Sequence, residues 1–535
     1  MPPKLVILGW DSATWDVAGP LIEEGRLPAL AGVLERGYRA PLRSTWPPMT
    51  DCAWTSAFTG VNPGGHGIFG SWYRAPGAYA PRYFSSRDRR APALWELAPD
   101  ARFLVWNVPM TFPPSALNGA MVAGYGAPPG ALMCEPPGLQ DELAERWGLA
   151  DLMDRAPHGT LERFLDELVR GLEVQGEALP WAATKVGADC VVAVWPHIDR
   201  AQHFFWRFRH LAGTGDGRSH LATAVERVYE AADRATAAVI GAFPGADVMV
   251  VSDHGAGPLL GDVNLGAWLA GRGDAGYAGV KRRRLLELAW ALPPRVRSFG
   301  KRLAPAAARR AFGATLAGQL GPFEWAATRA FAGFHGDLWL NLAGREPQGI
   351  VDPSDAPALL SELSSALLGI TDPATGAGVF AAAHRREDIY SGPAAELGPD
   401  LMLDSWSAGY RVAPGREHTE AVVIPPAPLA GVREAWSSDH RPLGIFASAG
   451  PRIAGGSAGE LALYDVCPTA LALLDAEVPA GLDGRAATGA LDAAWLERHP
   501  VRTGAAAPER SAGGAYSDEE AGAVAAHLKD LGYIE

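Results

Sequence analysis

Two stretches near the start of the chain decide the fold: KLVILGWDSATWD at residues 4–16 and RSTWPPMTDCAWTSAFTGVNPGGHGIFGS at residues 43–71. The apolar run from Leu5 to Leu8 is short enough to form a buried parallel strand, and Asp11 follows just past its end. Ligands of open α/β sheets collect at the carboxyl ends of the strands, which makes Asp11 a candidate site residue. Taken by itself, Asp11 is explained more simply as a helix cap.

Thr50 follows the Pro47-Pro48 turn and precedes helix-compatible residues from Ala53 to Phe58. A hydroxyl at a helix N-terminus faces unsatisfied backbone N–H groups and the positive end of the helix dipole, a combination that suits an anion. Taken by itself, Thr50 is again explained more simply as an N-cap.

Composition indicates one large globular protein. The 535 residues include 47 basic and 60 acidic side chains, a formal net charge of −13, which disfavours a binder of nucleic-acid duplexes. The four cysteines lie far apart without a CxxC pair, and this excludes a disulfide framework and a cysteine zinc site. No apolar run is long enough to span a membrane and no signal-like segment opens the chain, so a cytoplasmic location is expected.

Apolar runs alternate with helical periodicity through most of the chain. The pattern predicts strands at 102–109, 119–125, 189–199 and 247–255, further strands in LWLNLAG, PDLMLD and LGIFASAG, and helices at 139–185, 218–243, 464–476 and 517–535. Such alternation indicates an α/β protein with a mostly parallel sheet covered on both faces.

Acidic and imidazole side chains recur near the ends of these predicted strands. Asp199 and His203 are four residues apart and would share one helical face. Mixed carboxylates and imidazoles suit Zn²⁺, with Mn²⁺ or Fe as alternatives. Two cations can stabilise the attacking and the leaving oxygen of an in-line displacement at phosphorus, and a hydroxyl bound to one of them becomes a nucleophile. The set divides into one site of Asp199, His203 and His440 and another of Asp11, Asp253 and His254, with Thr50 as the nucleophile.

The chain resembles the alkaline phosphatase superfamily, in particular its type I phosphodiesterase/nucleotide pyrophosphatase branch and the related bacterial phosphohydrolase/phosphomutase-like proteins. The motifs that carry the resemblance are GWD at 9–11, PPMTDCAWTSAFTGVNPGGHGIFG at 47–70, DRAQH at 199–203, SDHG at 252–255, DHRPLGIF at 439–446 and YDVCPTALALLDAEVPAGLDGR at 464–485. The resemblance implies a three-layer α/β/α sandwich with helical cap insertions. Core segments are expected at 1–138, 187–269 and 329–500, helical caps at 139–186 and 270–328, and a linker with a C-terminal helix at 501–535.

The resemblance also implies roles for the candidate residues. Asp11, Asp253 and His254 would hold one metal ion, with Thr50 reaching it as the nucleophile that forms a covalent phospho-threonine. The second ion would be held by Asp199, His203 and His440. The implied activity is hydrolysis of a small phosphoester such as a nucleotide, a phosphosugar or a lipid headgroup, and a homodimer is left open.

Two features depart from the family pattern. Nucleotide pyrophosphatases of this group commonly place an Asn five residues after the His of the HG pair, where this chain has Ser71. No match to the phosphate-gripping Arg of alkaline phosphatases is visible, which favours a diester over a dianionic monoester. Asn107 is a candidate for the missing donor, although a turn residue is the simpler interpretation. His66, in its Gly-rich loop, is interpreted as structural.

Several alternatives share this residue set. A phosphomonoesterase or a Mn-dependent phosphomutase would use the same ligands, and an inactive metal-binding protein is a third possible function. A sulfatase is disfavoured because Cys52 lacks the Pro and Arg of the sulfatase motif. The basic segment 281–310 is interpreted either as a solvated helical face or as a surface for a polyanionic ligand.

Overall fold

A computed structural model describes residues 2–531 except 75–76, 80, 124–125, 129, 149–151, 153–158, 277–322, 334, 414–420, 427–435, 511–512, 514–515 and 517. The basic segment 281–310 therefore lies outside the described residues. No helix within the described part has the length and apolar character needed to cross a bilayer.

Helices alternate with strands in much of the described chain, as the sequence predicts, although several short strands also follow one another directly. The strands are β1 Leu5–Trp10, β2 Tyr38–Arg43, β3 Trp72–Arg74, β4 Pro81–Tyr83, β5 Phe103–Trp106, β6 Gly119–Val122, β7 Cys134–Glu135, β8 Cys190–Trp195, β9 Asp247–Val251, β10 Gly255–Pro258, β11 Gly261–Val263, β12 Ala330–Ala332, β13 Asp337–Leu340, β14 Ala382–Arg385, β15 Leu401–Asp404, β16 Tyr410–Val412, β17 Val423–Ile424, β18 Ser438–Arg441, β19 Leu443–Ala449, β20 Gly456–Ser457, β21 Leu461–Ala462, β22 Val478–Pro479 and β23 Thr503–Gly504.

The helices are α1 Trp15–Glu23, α2 Pro28–Arg36, α3 Thr50–Thr59, α4 Pro63–His66, α5 Leu94–Leu97, α6 Gly138–Trp147, α7 Leu161–Val186, α8 His197–Phe205, α9 Ala224–Ala242, α10 Leu265–Arg272, α11 Ala356–Leu368, α12 Arg386–Ile389, α13 Val466–Leu473, α14 Ala493–Arg498 and α15 Asp518–Leu531. The helix predicted from residue 218 begins later, at Ala224, because a separate 3₁₀ turn occupies Ser219–Leu221.

The central sheet has the strand order β20–β2–β19–β9–β1–β8–β5–β6–β7, and β21 also pairs with β2. Strand β1 is parallel to both β8 and β9, and β5 is parallel to β8 and β6. Strand β19 is antiparallel to its two neighbours, and so is the edge strand β7 to β6. The predicted α/β class with a mostly parallel central sheet is confirmed.

Both faces of the central strands β1, β8 and β9 are buried, which explains why these strands read as continuous apolar runs. Along β1, Val6 and Leu8 belong to one apolar cluster, together with residues of α7, α8 and α9. Leu5 and Ile7 face the opposite way and belong to a second cluster, with residues of α3 and α13. The arrangement is the three-layer sandwich that the family resemblance implies.

A second, smaller sheet accompanies the central one. It has the order β12–β13–β15–β14 and packs with Ala356–Leu368 around its own apolar cluster. The family resemblance predicts a core segment at 329–500. Within that range, β13 and β15 belong to this separate antiparallel sheet, whereas β19 joins the central sheet. Periodicity identifies a strand but not its partner, so the pattern alone could not separate the two sheets. The segment boundaries stay predictions.

The predicted C-terminal helix lies on the body of the protein. Val524 is 5% exposed and packs with Trp72 of β3 and Tyr83 of β4. The helix thus covers the outside of the β3–β4 hairpin.

His66 joins the loop after α4 to α3. Its Nδ1 accepts a hydrogen bond from the Ile68 backbone N–H at 3.1 Å, so its Nε2 carries the proton and lies 2.8 Å from Ser56 Oγ. Burial, with a smaller effect of the Arg89 charge, lowers the pKa of His66 to about 3. These contacts agree with the structural role expected for His66.

Replacing Gly9 by Ala should destabilise the sheet beside Asp11. A Cβ at Gly9 would lie 2.5 Å from Trp54 Cη2 and 2.9 Å from Val194 Cγ2. We expect a loss of about 1–3 kcal/mol in the free energy of unfolding, measured with urea. Gly241→Ala is the matched control, since nothing lies within 4 Å of its new Cβ and Ala favours a helix. Equal stability of the two variants would contradict the packing described.

The His66 imidazole should make stability depend on pH. The unfolded chain takes up this proton near pH 6.5 and the folded protein only near pH 3, so the stabilisation is complete above pH 6.5 and is lost as the pH falls toward 3. In His66→Gln the acid-side slope of the free energy of unfolding should be shallower by up to about 1.4 kcal/mol per pH unit. Parallel curves for variant and wild type would show that the ring titrates normally.

Candidate metal centre

The structure brings the six predicted ligands and Thr50 together at the carboxyl edge of the central sheet. All seven side chains are at most 3% exposed. The paired ends of β1, β8 and β9 align there, with Trp10 opposite Trp195 and Gly9 opposite Val251. Asp11 follows β1, Asp253 and His254 follow β9, Asp199 and His203 lie on α8 after β8, His440 lies on β18, and Thr50 begins α3.

Local geometry explains two of the pairings. Asp199 and His203 share one face of α8, as their four-residue spacing predicts, and His203 Nε2 lies 3.0 Å from Asp199 Oδ1. Strand β18 pairs with β10 so that His440 lies opposite Ala256. This register stacks the rings of His440 and His254 with centroids 3.7 Å apart.

Each of the three imidazoles has its Nδ1 directed at a backbone carbonyl. His203 Nδ1 lies 2.9 Å from Ser438 O, His440 Nδ1 lies 2.7 Å from Pro48 O, and His254 Nδ1 lies 3.1 Å from Gly255 O. A carbonyl oxygen only accepts hydrogen bonds, so Nδ1 carries the proton in each neutral ring. The Nε2 lone pairs then point into the cluster, in the tautomer that binds a metal ion.

The Nε2 atoms and carboxylate oxygens of the cluster lie so close together that positive charge is needed between them. His203 Nε2 lies 3.2 Å from His440 Nε2, and it also contacts the Asp199 carboxylate. Two nitrogen lone pairs and a carboxylate oxygen repel one another at such distances unless a cation or a proton lies between them.

The carboxylates lead to the same conclusion. Among the described residues, Asp11 Oδ1, Asp253 Oδ2 and both oxygens of Asp199 have no hydrogen-bond donor, although all are buried. Burial and the charges of Asp253 and Asp199 hold the pKa of Asp11 well above its usual range. Buried carboxylates without donors are stable only when they are paired or bind metal.

The close packing shifts the pKa values of the imidazoles and of Asp199 in different directions. Burial acts to lower the pKa of His254, yet the charge of Asp253, 3.1 Å away, raises it above the ordinary value. Burial and the neighbouring His254 hold the pKa of His440 well below its usual range. Burial acts to raise the pKa of Asp199, but His203 and His440 lower it below the usual value.

Two triads have ligand atoms within 4.8 Å of one another: Asp11, Asp253 and His254, and Asp199, His254 and His440. The first triad is the one that the sequence predicts. In the second, His254 takes the place expected for His203, whose Nε2 nevertheless lies 3.0 Å from Asp199 and 3.2 Å from His440. The six residues therefore form one continuous cluster whose donor types fit two divalent ions.

The simpler roles considered for Thr50 and Asp11 are not the ones observed. Met49, and not Thr50, occupies the N-cap position of α3, and helix α1 is capped by Thr14. Thr50 Oγ1 instead lies 3.3 Å from His254 Nε2, at the first turn of α3. Asp11 Oδ2 accepts a hydrogen bond from Trp54 Nε1 at 3.0 Å.

Three residues that support the cluster were not identified from the sequence. Trp54 is one helical turn after Thr50, a spacing that could have revealed it. The Ser12 N–H donates to Asp253 Oδ1 at 3.1 Å, and Ser12 has φ 66°, a strained conformation of the kind that clusters at functional sites. Trp436 stacks on His203 with ring centroids 3.7 Å apart. Trp436 lies outside the helices and strands, where periodicity gives no signal.

The two weaker candidates have partners outside the cluster. Asn107 Nδ2 donates to Leu152 O at 2.8 Å, and the residue has φ 54°, in agreement with the turn interpretation. Ser71 Oγ donates to the carboxylate of Asp51, the residue after Thr50. Burial raises the pKa of Asp51 to about 6, while the Ser71 hydrogen bond acts in the opposite direction.

Comparisons with known proteins give a family and a fold. The family profile described as type I phosphodiesterase / nucleotide pyrophosphatase matches residues 5–423. A search of curated proteins gives no match.

Two solved structures similar to this chain are complexes of phosphonoacetate hydrolase from Sinorhizobium meliloti 1021. The complex with phosphonoacetate is 16% identical, with a TM-score of 0.50, and the alignment covers 87% of this chain and 94% of that chain. The complex with phosphonoformate is 17% identical, with a TM-score of 0.47 and the same coverage. At this identity the first structure shows a shared fold. From the family match over 5–423, the chain belongs to the type I phosphodiesterase / nucleotide pyrophosphatase family, hydrolases of phosphoric esters within the metal-dependent alkaline phosphatase superfamily.

Proposed function

We propose that this chain hydrolyses phosphodiesters through Thr50 as a covalent nucleophile, at a site built for two divalent metal ions. The observation that carries the proposal is the convergence of three Nε2 lone pairs and several donor-free carboxylate oxygens beside the Thr50 hydroxyl. Asp11, Asp253 and His254 would hold one ion, and Asp199, His203 and His440 the other. Zn²⁺ suits this mixture of donors best, with Mn²⁺ or Fe as alternatives.

When bound, the ions would stabilise the alkoxide form of Thr50 and the charge that develops at phosphorus. Thr50 Oγ attacks the phosphorus and the leaving alcohol departs, which gives a phospho-threonine that water then hydrolyses. The start of α3 directs backbone N–H groups and the positive end of its dipole toward the phosphoryl oxygens. The Nδ1 contacts with Ser438 O, Pro48 O and Gly255 O fix the imidazoles in the ligating orientation.

Two features favour a diester over a monoester. Ser71 stands where the family commonly has an Asn amide donor, and its hydroxyl donates a hydrogen bond to the Asp51 carboxylate. Asp51 also adds a carboxylate next to the nucleophile, and this charge opposes the second negative charge of a monoester. A small diester or pyrophosphate is therefore the proposed substrate class.

Thr50→Ala should abolish turnover and leave the metal in place. We expect kcat for bis-p-nitrophenyl phosphate to fall by at least about 10³-fold, because the nucleophile is removed, while Thr50→Ser keeps part of the activity. Thr59→Ala is the matched control: it removes a buried hydroxyl from the other end of α3, where it donates to Thr55 O. Metal content is measured on every variant by plasma mass spectrometry. Substantial turnover by a metal-loaded Thr50→Ala enzyme would refute the nucleophile assignment.

The wild-type chain should contain two metal ions, and removing a ligand should release one. In His440→Ala we expect metal content to approach one ion per chain and activity to be lost. A chelator should lower the melting temperature of the wild type, since the ions bind only the folded state. Asp233→Asn is the control: it alters a buried carboxylate that binds the Ala29 and Leu30 N–H groups, and should retain both ions. Full activity after complete chelation would rule out the metal site.

A further inference from the structure

The first ion, proposed to lie at Asp11, Asp253 and His254, would be held by two carboxylates that each have one oxygen already fixed. Asp253 Oδ1 accepts a hydrogen bond from the Ser12 N–H at 3.1 Å, and Asp11 Oδ2 accepts one from Trp54 Nε1 at 3.0 Å. The other oxygens, Asp253 Oδ2 and Asp11 Oδ1, have no donor among the described residues and lie 3.1 Å and 3.9 Å from His254 Nε2. The hydrogen bonds to the fixed oxygens therefore decide where the donor-free oxygens point.

The residue that donates to Asp253 is held in a strained conformation. Ser12 has φ 66°, in the left-handed region that residues other than glycine rarely adopt. A backbone of this kind persists only when its surroundings hold it. Ser12 is 0% exposed, so those surroundings are protein groups. The direction of its N–H toward Asp253 thus depends on the side chains that contact Ser12.

Gln202 of α8 supplies the closest of these side-chain contacts. Its Nε2 donates to Ser12 O at 2.8 Å and lies 3.2 Å from Ser12 Oγ. The Ser12 hydroxyl lies in turn 3.4 Å from Gly255 O. Gln202 is itself 0% exposed. One buried side-chain amide therefore contacts both the backbone and the side chain of the strained residue.

Tyr229 of α9 orients this amide. Its hydroxyl accepts a hydrogen bond from the Thr14 N–H at 3.0 Å and donates to Gln202 Oε1 at 3.3 Å. The Gln202 carbonyl thus faces a donor, and its NH₂ group faces the Ser12 carbonyl, which only accepts. Buried polar groups that are matched in this way specify a single geometry.

We propose that Gln202 is a positioning residue for the first ion. Through Ser12 it fixes the Asp253 carboxylate so that Oδ2 lies beside Asp11 Oδ1 and His254 Nε2. Both polar atoms of Gln202 contact Ser12 and Tyr229, so it acts through Asp253 and not on the ion itself. The inference rests on the proposed function, because it assumes a divalent ion among these three ligands.

The Zn²⁺ affinity of Gln202→Met tests this role. Methionine has a similar length and lacks the amide, so Ser12 loses its donor. Zinc is withdrawn from the full-length, metal-loaded protein with increasing amounts of a chromophoric chelator. We expect one of the two ions to bind at least about 10-fold more weakly than in the wild type, the usual effect of removing a group that orients a metal ligand. At saturating Zn²⁺, kcat for bis-p-nitrophenyl phosphate should return to within about threefold of the wild-type value.

Gln175→Met is the matched control. Gln175 is also 0% exposed, and its amide accepts from Trp106 Nε1 at 2.6 Å and donates to Leu152 O at 3.1 Å, neither of which is a metal ligand. The same chemical change there should also lower stability but keep both Zn²⁺ affinities within about twofold of the wild-type values. An equal loss of affinity in the two variants would assign the effect to general destabilisation and overturn the proposal.

Gln202 precedes His203 in the chain, so combined variants are needed to identify the ion that responds. In Asp253→Asn, where the second ion remains, adding Gln202→Met should change the Zn²⁺ affinity by less than about twofold. In His203→Ala, where the first ion remains, the same addition should weaken binding at least about 10-fold. The reverse pattern would place the effect at the second ion and contradict the proposal.

Tyr229→Phe provides a second variant in case Gln202→Met does not fold. It removes one oxygen and leaves the Gln202 amide without its donor, so the affinity for the first ion should fall by about threefold. An unchanged affinity in this variant would show that the network does not position Asp253.

The wild-type titration separates this inference from the proposed function. Two bound ions in the wild type, with the same affinities in Gln202→Met, would defeat the positioning role alone. A wild-type protein that binds no Zn²⁺, or that hydrolyses the diester without metal, would defeat the proposed function and this inference with it.

Discussion

The structure depends on one electrostatic constraint, the burial of three carboxylates at a single edge of the sheet. Asp11, Asp199 and Asp253 are each at most 1% exposed, and several of their oxygens have no hydrogen-bond donor among the described residues. Placing such groups together without compensating positive charge costs several kcal/mol per ion. The three imidazoles direct their Nε2 atoms into the same space, so divalent ions are the compensation that this donor set fits.

The sheet makes this concentration of charge achievable. Parallel pairing of β1 with β8 and β9 brings three strand ends to one edge, and the two apolar layers hold those strands rigidly on both faces. The helix start at Thr50 then supplies a hydroxyl and backbone N–H groups to the same edge. Catalytic groups on rigid elements need little reorganisation during reaction, the condition under which electrostatic catalysis is strongest.

Much of this arrangement could be predicted from the sequence. Buried strands read as apolar runs with an acid just beyond, as at Asp11 and Asp253, and the helical spacing of Asp199 and His203 places both on one face. The contacts that orient the rings could not be predicted, because His440 reaches the carbonyl of Pro48, 392 residues away in the sequence. The smaller sheet could not be separated from the central one for the same reason, since its β13 pairs with β15, more than 60 residues later in the chain.

The most direct test of the central claim is an anomalous-scattering map of crystals grown with Zn²⁺, recorded on both sides of the zinc absorption edge. We predict two peaks roughly 4 Å apart, one among Asp11, Asp253 and His254 next to Thr50, the other among Asp199, His203 and His440. A map without a peak at this edge of the sheet, or with zinc bound only elsewhere, would contradict it.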